Sequence, residues 1–175
     1  LHTSDIHFGV SPNKAPRHED HSFWIEKMIE KIEELKPHLF LCTGDIFDRN
    51  NPSNKTGTLF QSFLKRLLDT ELQKIVFITG NHDSDSYVEL LNSFLHLTDE
   101  SNRLHLITKK SDSPLDDYCL DFELGDQKEK VGIAALPFIS HTRLGALLNQ
   151  ESSTDTAPQT LNAVELSQEL SKNIR

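Results

Sequence analysis

Three short segments constrain this chain more than anything else in it: Asp5-Ile6-His7, Gly44-Asp45-Ile46-Phe47-Asp48 and Gly80-Asn81-His82-Asp83. Each follows a short apolar run, and about forty residues separate one from the next, the spacing of successive strand–helix–strand units. Strands joined by such crossovers are parallel, and their C-terminal ends share the edge of the sheet where ligands bind. The three segments are therefore expected to meet in space, bringing together Asp, His, Asp and Asn. Those oxygen and imidazole donors suit a pair of hard-to-borderline divalent cations, which points to metal-assisted hydrolysis of a phosphate ester.

The intervening sequence supports this βαβαβ reading. Leu1 to Ser4 reads as the end of a first strand, and Gly9 to Asp20, polar with two prolines, as a loop. Trp24, Ile25, Met28, Ile29, Ile32 and Leu35 then recur at helical spacing until Pro37. Leu39 to Thr43 is a short apolar strand, and the Asn-, Pro- and Ser-rich stretch from Arg49 to Asn54 is a loop. Phe60, Phe63, Leu64, Leu67 and Leu68 form a second amphipathic face, and Ile75 to Thr79 a β-branched third strand. A third helix is expected over about Tyr87 to Leu95 and a fourth strand over Leu104 to Thr108. Tyr118 to Leu124 and Val131 to Leu136 read as a hairpin turning at Gly125-Asp126. Leu147 to Pro158 reads as a loop, and Leu161 to Asn173 has helical propensity.

Chemistry assigns roles to the clustered residues. Asp5 and His7, two apart on a loop leaving a strand, can chelate one cation. Asp45 can bridge two through its two oxygens, and Asn81 offers a neutral oxygen to the second. Two divalent cations against two carboxylates leave a net positive site that favours an anionic phosphate. His82, beside a ligand but itself free, is placed to donate a proton to a leaving oxygen. Asp48 could accept from a ring nitrogen of His82 and fix its tautomer. Asp and Asn are also ordinary turn formers at strand ends, but that reading leaves the two histidines and the ordered repetition unexplained. Asp83 and Asp85 read as loop or cap residues.

The wider composition sets bounds. The 175 residues are one domain's worth of chain, 1–175, with no internal repeat and no interdomain linker. A formal net charge of −9 argues against a broadly basic nucleic-acid wrapper, though it does not exclude a nuclease whose field is set by bound cations. Cys42, inside an apolar run, reads as a buried free thiol. The two cysteines form no paired zinc pattern, so a reducing compartment, the cytoplasm, is expected. No apolar run approaches the length of a membrane helix. Leu1 reads as lying inside a strand, so the sequence is expected to continue beyond it.

With these residues in view, the chain resembles the calcineurin-like metallophosphoesterases. Leu1-His2-Thr3-Ser4-Asp5-Ile6-His7-Phe8-Gly9, Gly44 to Asp48 with Pro52, Gly80-Asn81-His82-Asp83-Ser84 and Ala135-Leu136-Pro137-Phe138 are most similar to the SbcD-type DNA repair exonuclease subunit. The resemblance runs to about Phe138. It implies an α/β fold, a four-layer α/β/β/α sandwich with mixed sheets, incomplete here at the C-terminus. It implies two manganese ions, with Asp5 and His7 on the first, Asp45 bridging and Asn81 on the second, and His82 as catalytic histidine backed by Asp48. It further implies DNA as substrate and a coiled-coil ATPase of SbcC type as partner, with a homodimer as an open alternative and no membrane. The family completes its metal shell with three more histidines, in a Gly-His and a Gly-His-x-His segment, and neither occurs before Arg175. The expectation for the chain as it stands is therefore weak metal binding and little activity. His96 reads as a helix-end residue and His105 as a strand residue. His141 lacks ligand context too.

Lys14, Arg17, Arg49 and Lys55 lie on loops leaving the expected catalytic edge, where they could touch a nucleic-acid backbone or be solvated charges. Phe8 could stack on a base or pack under its loop. Three functions stay open: a metal-dependent DNA exonuclease subunit; a small-molecule phosphodiesterase or protein phosphatase built on the same site; and an inactive scaffold that only docks a partner.

Overall fold

The computed structural model describes residues 1–95, 101–109 and 118–139. Leu1–Phe138 form one compact unit. His96, His141, the expected 147–158 loop and the expected 161–173 helix lie outside the described residues.

In that unit, β1 (His2–Thr3), β2 (Leu39–Thr43), β3 (Lys74–Ile78) and β4 (Leu104–Ile107) form a parallel sheet in the order β1-β2-β3-β4. Its register pairs Thr3 with Cys42, Thr43 with Ile78 and Ile78 with Ile107. Helices α1 (His18–Leu35), α2 (Asn54–Leu68) and α3 (Asp85–Leu95) connect successive strands. Every crossover steps the same way across the sheet, and the right-handed rule then puts all three helices on one face. The buried side chains agree. Phe40, Cys42, Ile75, Phe77, Leu104 and Leu106 join Ile25, Ile29 and Ile32 of α1, Phe60, Phe63 and Leu67 of α2, and Val88 of α3. The alternate strand positions, Leu39, Leu41, Val76, Ile78 and Ile107, point the other way. They pack on an antiparallel hairpin, β5 (Cys119–Leu124) and β6 (Glu129–Ala134). The described residues thus supply three layers, helices, parallel sheet and hairpin, with the expected mixed character divided between two sheets.

Boundaries differ from expectation in small ways. α1 starts at His18, inside the stretch read as loop, and a 3₁₀ turn covers Pro12–Lys14. α1 closes on Lys36, left-handed at φ 45°, whose N–H donates to the Ile32 carbonyl ahead of Pro37. That closing turn leaves Leu35 exposed and outside the core its spacing suggested. α2 is capped by Ser53, whose Oγ accepts from Thr56 N at 3.2 Å. Phe8 is 1% exposed among Trp24, Phe60 and Phe63, so it packs under its loop and has no face free for a base. Cys42 is a buried free thiol, and desolvation drives its pKa far above the ordinary value. No helix among the described residues is long and apolar enough to cross a membrane.

Candidate metal and catalytic site

The loops that leave β1 and β2 continue side by side past the sheet. Asp5 N donates to Gly44 O at 3.1 Å, His7 N to Asp45 O at 3.0 Å and Phe8 N to Ile46 O at 2.8 Å. A further bridge pairs Phe8 with Phe47. Asp5, His7 and Asp45 hold φ values of 53°, 50° and 50°, a left-handed region that few residues other than glycine visit. Their neighbours' amide bonds hold the backbone there, and the outcome is convergence. One ligand atom from each of Asp5, His7 and Asp45 lies within 4.8 Å of the others. His7 Nε2 is 3.9 Å from Asp45 Oδ2, and His7 Nδ1 is buried without a protein partner.

The third segment closes on the second. Gly44 at φ +94° turns the chain off β2 and lies against Gly80, whose missing Cβ leaves room for the amide and carboxylate of Asp45. Asp45 Oδ1 accepts from His82 N at 3.0 Å. Asn81 is exposed and lines a cleft of about 400 Å³ together with Asp5 and Asp45. The His82 ring stands edge-on to that of His7 at 5.0 Å.

His82 is held differently from expectation. Its Nδ1 lies 3.0 Å from the main-chain carbonyl of Asp48, not from the Asp48 carboxylate, whose Oδ2 instead meets Arg49 Nε at 3.3 Å. A carbonyl only accepts, so Nδ1 carries a proton and Nε2 is left available. That hydrogen bond raises the His82 pKa; slight desolvation opposes it, and the Asp45, Asp48 and Asp83 carboxylates assist it.

Asp83, read from sequence as a loop or cap residue, is 8% exposed. Its Oδ2 accepts from Ile46 N at 3.1 Å and Gly80 N at 2.8 Å, and its Oδ1 from Phe47 N at 2.8 Å. The cap of α3 is Ser84, whose Oγ accepts from Tyr87 N at 3.3 Å. Asp85 begins α3 and accepts from Thr79 Oγ1 and Lys109 N. Spacing alone does not separate a cap from a buried carboxylate one residue earlier, which is why Asp83 escaped notice.

The basic candidates divide. Lys14 and Arg49 line one groove of about 750 Å³ that also reaches Asp48 and His18. Arg17 faces a separate cleft beside Asp5, His21 and Trp24, and is ion-paired with Asp20. Lys55 is exposed in the first turn of α2 rather than on a loop, because Ser53 starts that helix just before it. His105 is a β4 residue, as read, with its ring 5.1 Å from Phe122.

Carboxylate and imidazole donors gathered at the C-terminal edge of a parallel sheet, beside a histidine held for proton transfer, describe a metal-dependent phosphoester hydrolase. Residues 1–147 match the calcineurin-like phosphoesterase family, and the chain belongs to it. With that membership come metal-dependent hydrolysis of phosphoesters and the α/β metallophosphoesterase sandwich.

Proposed function

We propose that this chain carries the nuclease site of a DNA double-strand-break repair exonuclease of SbcD type, working with a coiled-coil ATPase partner. The observation that carries the hydrolytic part is the convergence of Asp5, His7 and Asp45 to within 4.8 Å of one another beside His82. Support for the DNA part comes from the motif likeness and from the groove that places Lys14 and Arg49 next to Asp48, where phosphate contacts would orient a strand.

The donors fit divalent cations. They are oxygen and imidazole, and His7 keeps a buried nitrogen with no protein partner. Asp5, His7 and Asp45 would hold one cation, and Asp45 with Asn81 a second; manganese is the metal we propose. When bound, such a pair supplies water activation and charge compensation at the phosphoryl group. The chain's own work is positional and protonic. Asp45 takes the His82 amide and so sets where that residue stands. The Asp48 carbonyl holds Nδ1–H and favours the imidazolium form of the ring, and in that form Nε2 carries a second proton to give to the oxygen that departs as water adds to phosphorus, leaving neutral imidazole.

The test is Mn²⁺-dependent hydrolysis by the chain, both as it stands and carried on past Arg175 to include Gly-His and Gly-His-x-His segments. Linear duplex DNA and a small bis-aryl phosphodiester are offered in parallel, with His82→Ala as control. DNA degradation abolished by His82→Ala is the expected result. Cleavage of the small diester alone would move the protein to the small-substrate phosphodiesterases, and inactivity on both with a partner still bound would leave a scaffold.

A further inference from the structure

Of the acidic and amide side chains in the three motifs, Asp83 alone has been given neither a cation to hold nor a part in holding His82. Asp83 is buried and touches none of the candidate ligands' side chains, yet it spans two of the three segments. Its two oxygens take the amides of Ile46 and Phe47, which directly follow Asp45, and the amide of Gly80, which directly precedes Asn81. Asp45 returns the arrangement by accepting the His82 amide. Two carboxylates therefore each bind the other's loop, through three amide hydrogen bonds, and a fourth, from Gly80, ties Asp83 to its own loop, around a glycine whose bare Cα allows the approach.

We infer that Asp83 is a positioning residue: its carboxylate sets the distance and orientation between the Asp45 loop and the Asn81-His82 loop. The geometry excludes two simpler roles. It does not cap α3, since Ser84 does. Nor is it a substrate contact, being 8% exposed. Only an acceptor at both oxygens serves here, because all three partners are N–H donors. A carboxylate offers that and a carboxamide does not. In Asp83→Asn either the Phe47 amide, or the Ile46 and Gly80 amides, would face an NH₂ group. The inference rests on the proposed hydrolytic site for its consequence, but its physical content needs neither metal nor substrate.

The experiment is amide hydrogen exchange read residue by residue, followed by Mn²⁺ titration. In the wild type the Ile46, Phe47, Gly80 and His82 amides are expected to exchange slowly, and exchange there as fast as at exposed loop amides would overturn the inference. In Asp83→Asn those four amides are expected to exchange about tenfold faster or more, while Val76 and Phe77 in β3 keep their protection, the signature of local rather than global opening. Mn²⁺ affinity is expected to fall by about 10–100-fold, as for loss of an outer-shell support. A stability-matched core variant, Ile29→Val, should change neither. Unchanged exchange at residues 80–82 in folded Asp83→Asn, or equal loosening across the sheet, would refute the positioning role. Should Asp83→Asn fail to fold, Asp83→Glu keeps the charge and both oxygens one methylene further out. Perturbation confined to residues 45–48 and 80–82 supports the inference, and none overturns it. If the four amides loosen but Mn²⁺ affinity is unchanged, the positioning role stands and the proposed cation site at Asp45 and Asn81 fails.

Discussion

Gly80→Ala isolates the close packing on which the site depends. Gly80 does not occupy the left-handed region, so the substitution is a steric test alone. The added Cβ would lie 2.9 Å from the Asp45 carboxyl carbon, and closer still to Asp45 Oδ1 and the Asp45 amide nitrogen. Carbon atoms sit comfortably at about 3.5–4.0 Å, so Asp45 must retreat by about 1 Å. Overpacking of this kind costs roughly 1–3 kcal/mol. At about 2–4 °C per kcal/mol for a chain of this size, the melting temperature should fall by roughly 2–12 °C. The effect on chemistry should be larger, since a displacement of about 1 Å in a positioned group can cost about 100-fold in rate. The comparison is Gly57→Ala in α2, whose Cβ would meet the Tyr87 hydroxyl at 2.5 Å, the tip of a side chain packed on Phe47 and away from the three motif loops' ligand atoms. Replacing a helical glycine gains up to about 1 kcal/mol in propensity, which offsets part of the cost of shifting Tyr87, so Gly57→Ala should lower the melting temperature less than Gly80→Ala and leave the rate close to that of the wild type. Thermal unfolding followed by circular dichroism and turnover of a bis-aryl phosphodiester under Mn²⁺ measure the pair. If Gly80→Ala matched the wild type in melting temperature and rate, the two loops would not be in the contact described, and the reasoning would be wrong.

Other consequences can be measured with equal directness. Arg103 clamps the end of α2, donating from Nη1 to Thr70 O at 3.1 Å and Leu72 O at 2.8 Å and from Nη2 to Leu68 O; Arg103→Met should destabilise by about 2–3 kcal/mol, the range for hydrogen bonds from a charged donor, and a denaturant midpoint unchanged from wild type would refute the clamp. His21 is buried against Phe8, and desolvation lowers its pKa despite a backbone hydrogen bond with Ile6. The unfolded chain therefore takes up that proton first, and stability present above the ordinary value of 6.5 is lost as pH falls below it toward the folded value. The melting temperature of His21→Gln should fall less than that of the wild type over this interval, and parallel curves would exclude His21 as the cause.

The fold was legible where pattern and physics coincide. The continuous apolar run Leu39–Cys42 marks a strand covered on both faces, and helical spacing in Ile25, Ile29 and Ile32 puts apolar groups on one face, so strand and helix followed from the pattern of side chains. The convergence of Asp5, His7 and Asp45 was legible too, because parallel strands leave their C-terminal ends no other place to go. What escaped was set by backbone geometry that side-chain identity does not encode. Asp48 reaches His82 through its carbonyl, and nothing in a Gly-Asp-Ile-Phe-Asp string distinguishes a main-chain contact from a side-chain one. Asp83 occupies a position where a cap is the ordinary expectation, and its burial depends on Ile46 and Phe47, far away in sequence. Leu35 fits the helical period but falls where Lys36 turns the chain out of the helix, so period without the cap overstated the core.

The cross-strap between the second and third loops also imposes an order in time. Asp83 lies 37 residues after Ile46, so at about 5–20 residues per second its synthesis follows by roughly 2–7 s. Through that interval the nascent chain can pair β1 with β2 and set Asp5 and His7 beside Asp45, but the amides of Ile46 and Phe47 have no acceptor. The last residue of the last motif is the latch: until it is made, the ligands proposed for the first cation have no frame joining them to the loop that carries Asn81 and His82.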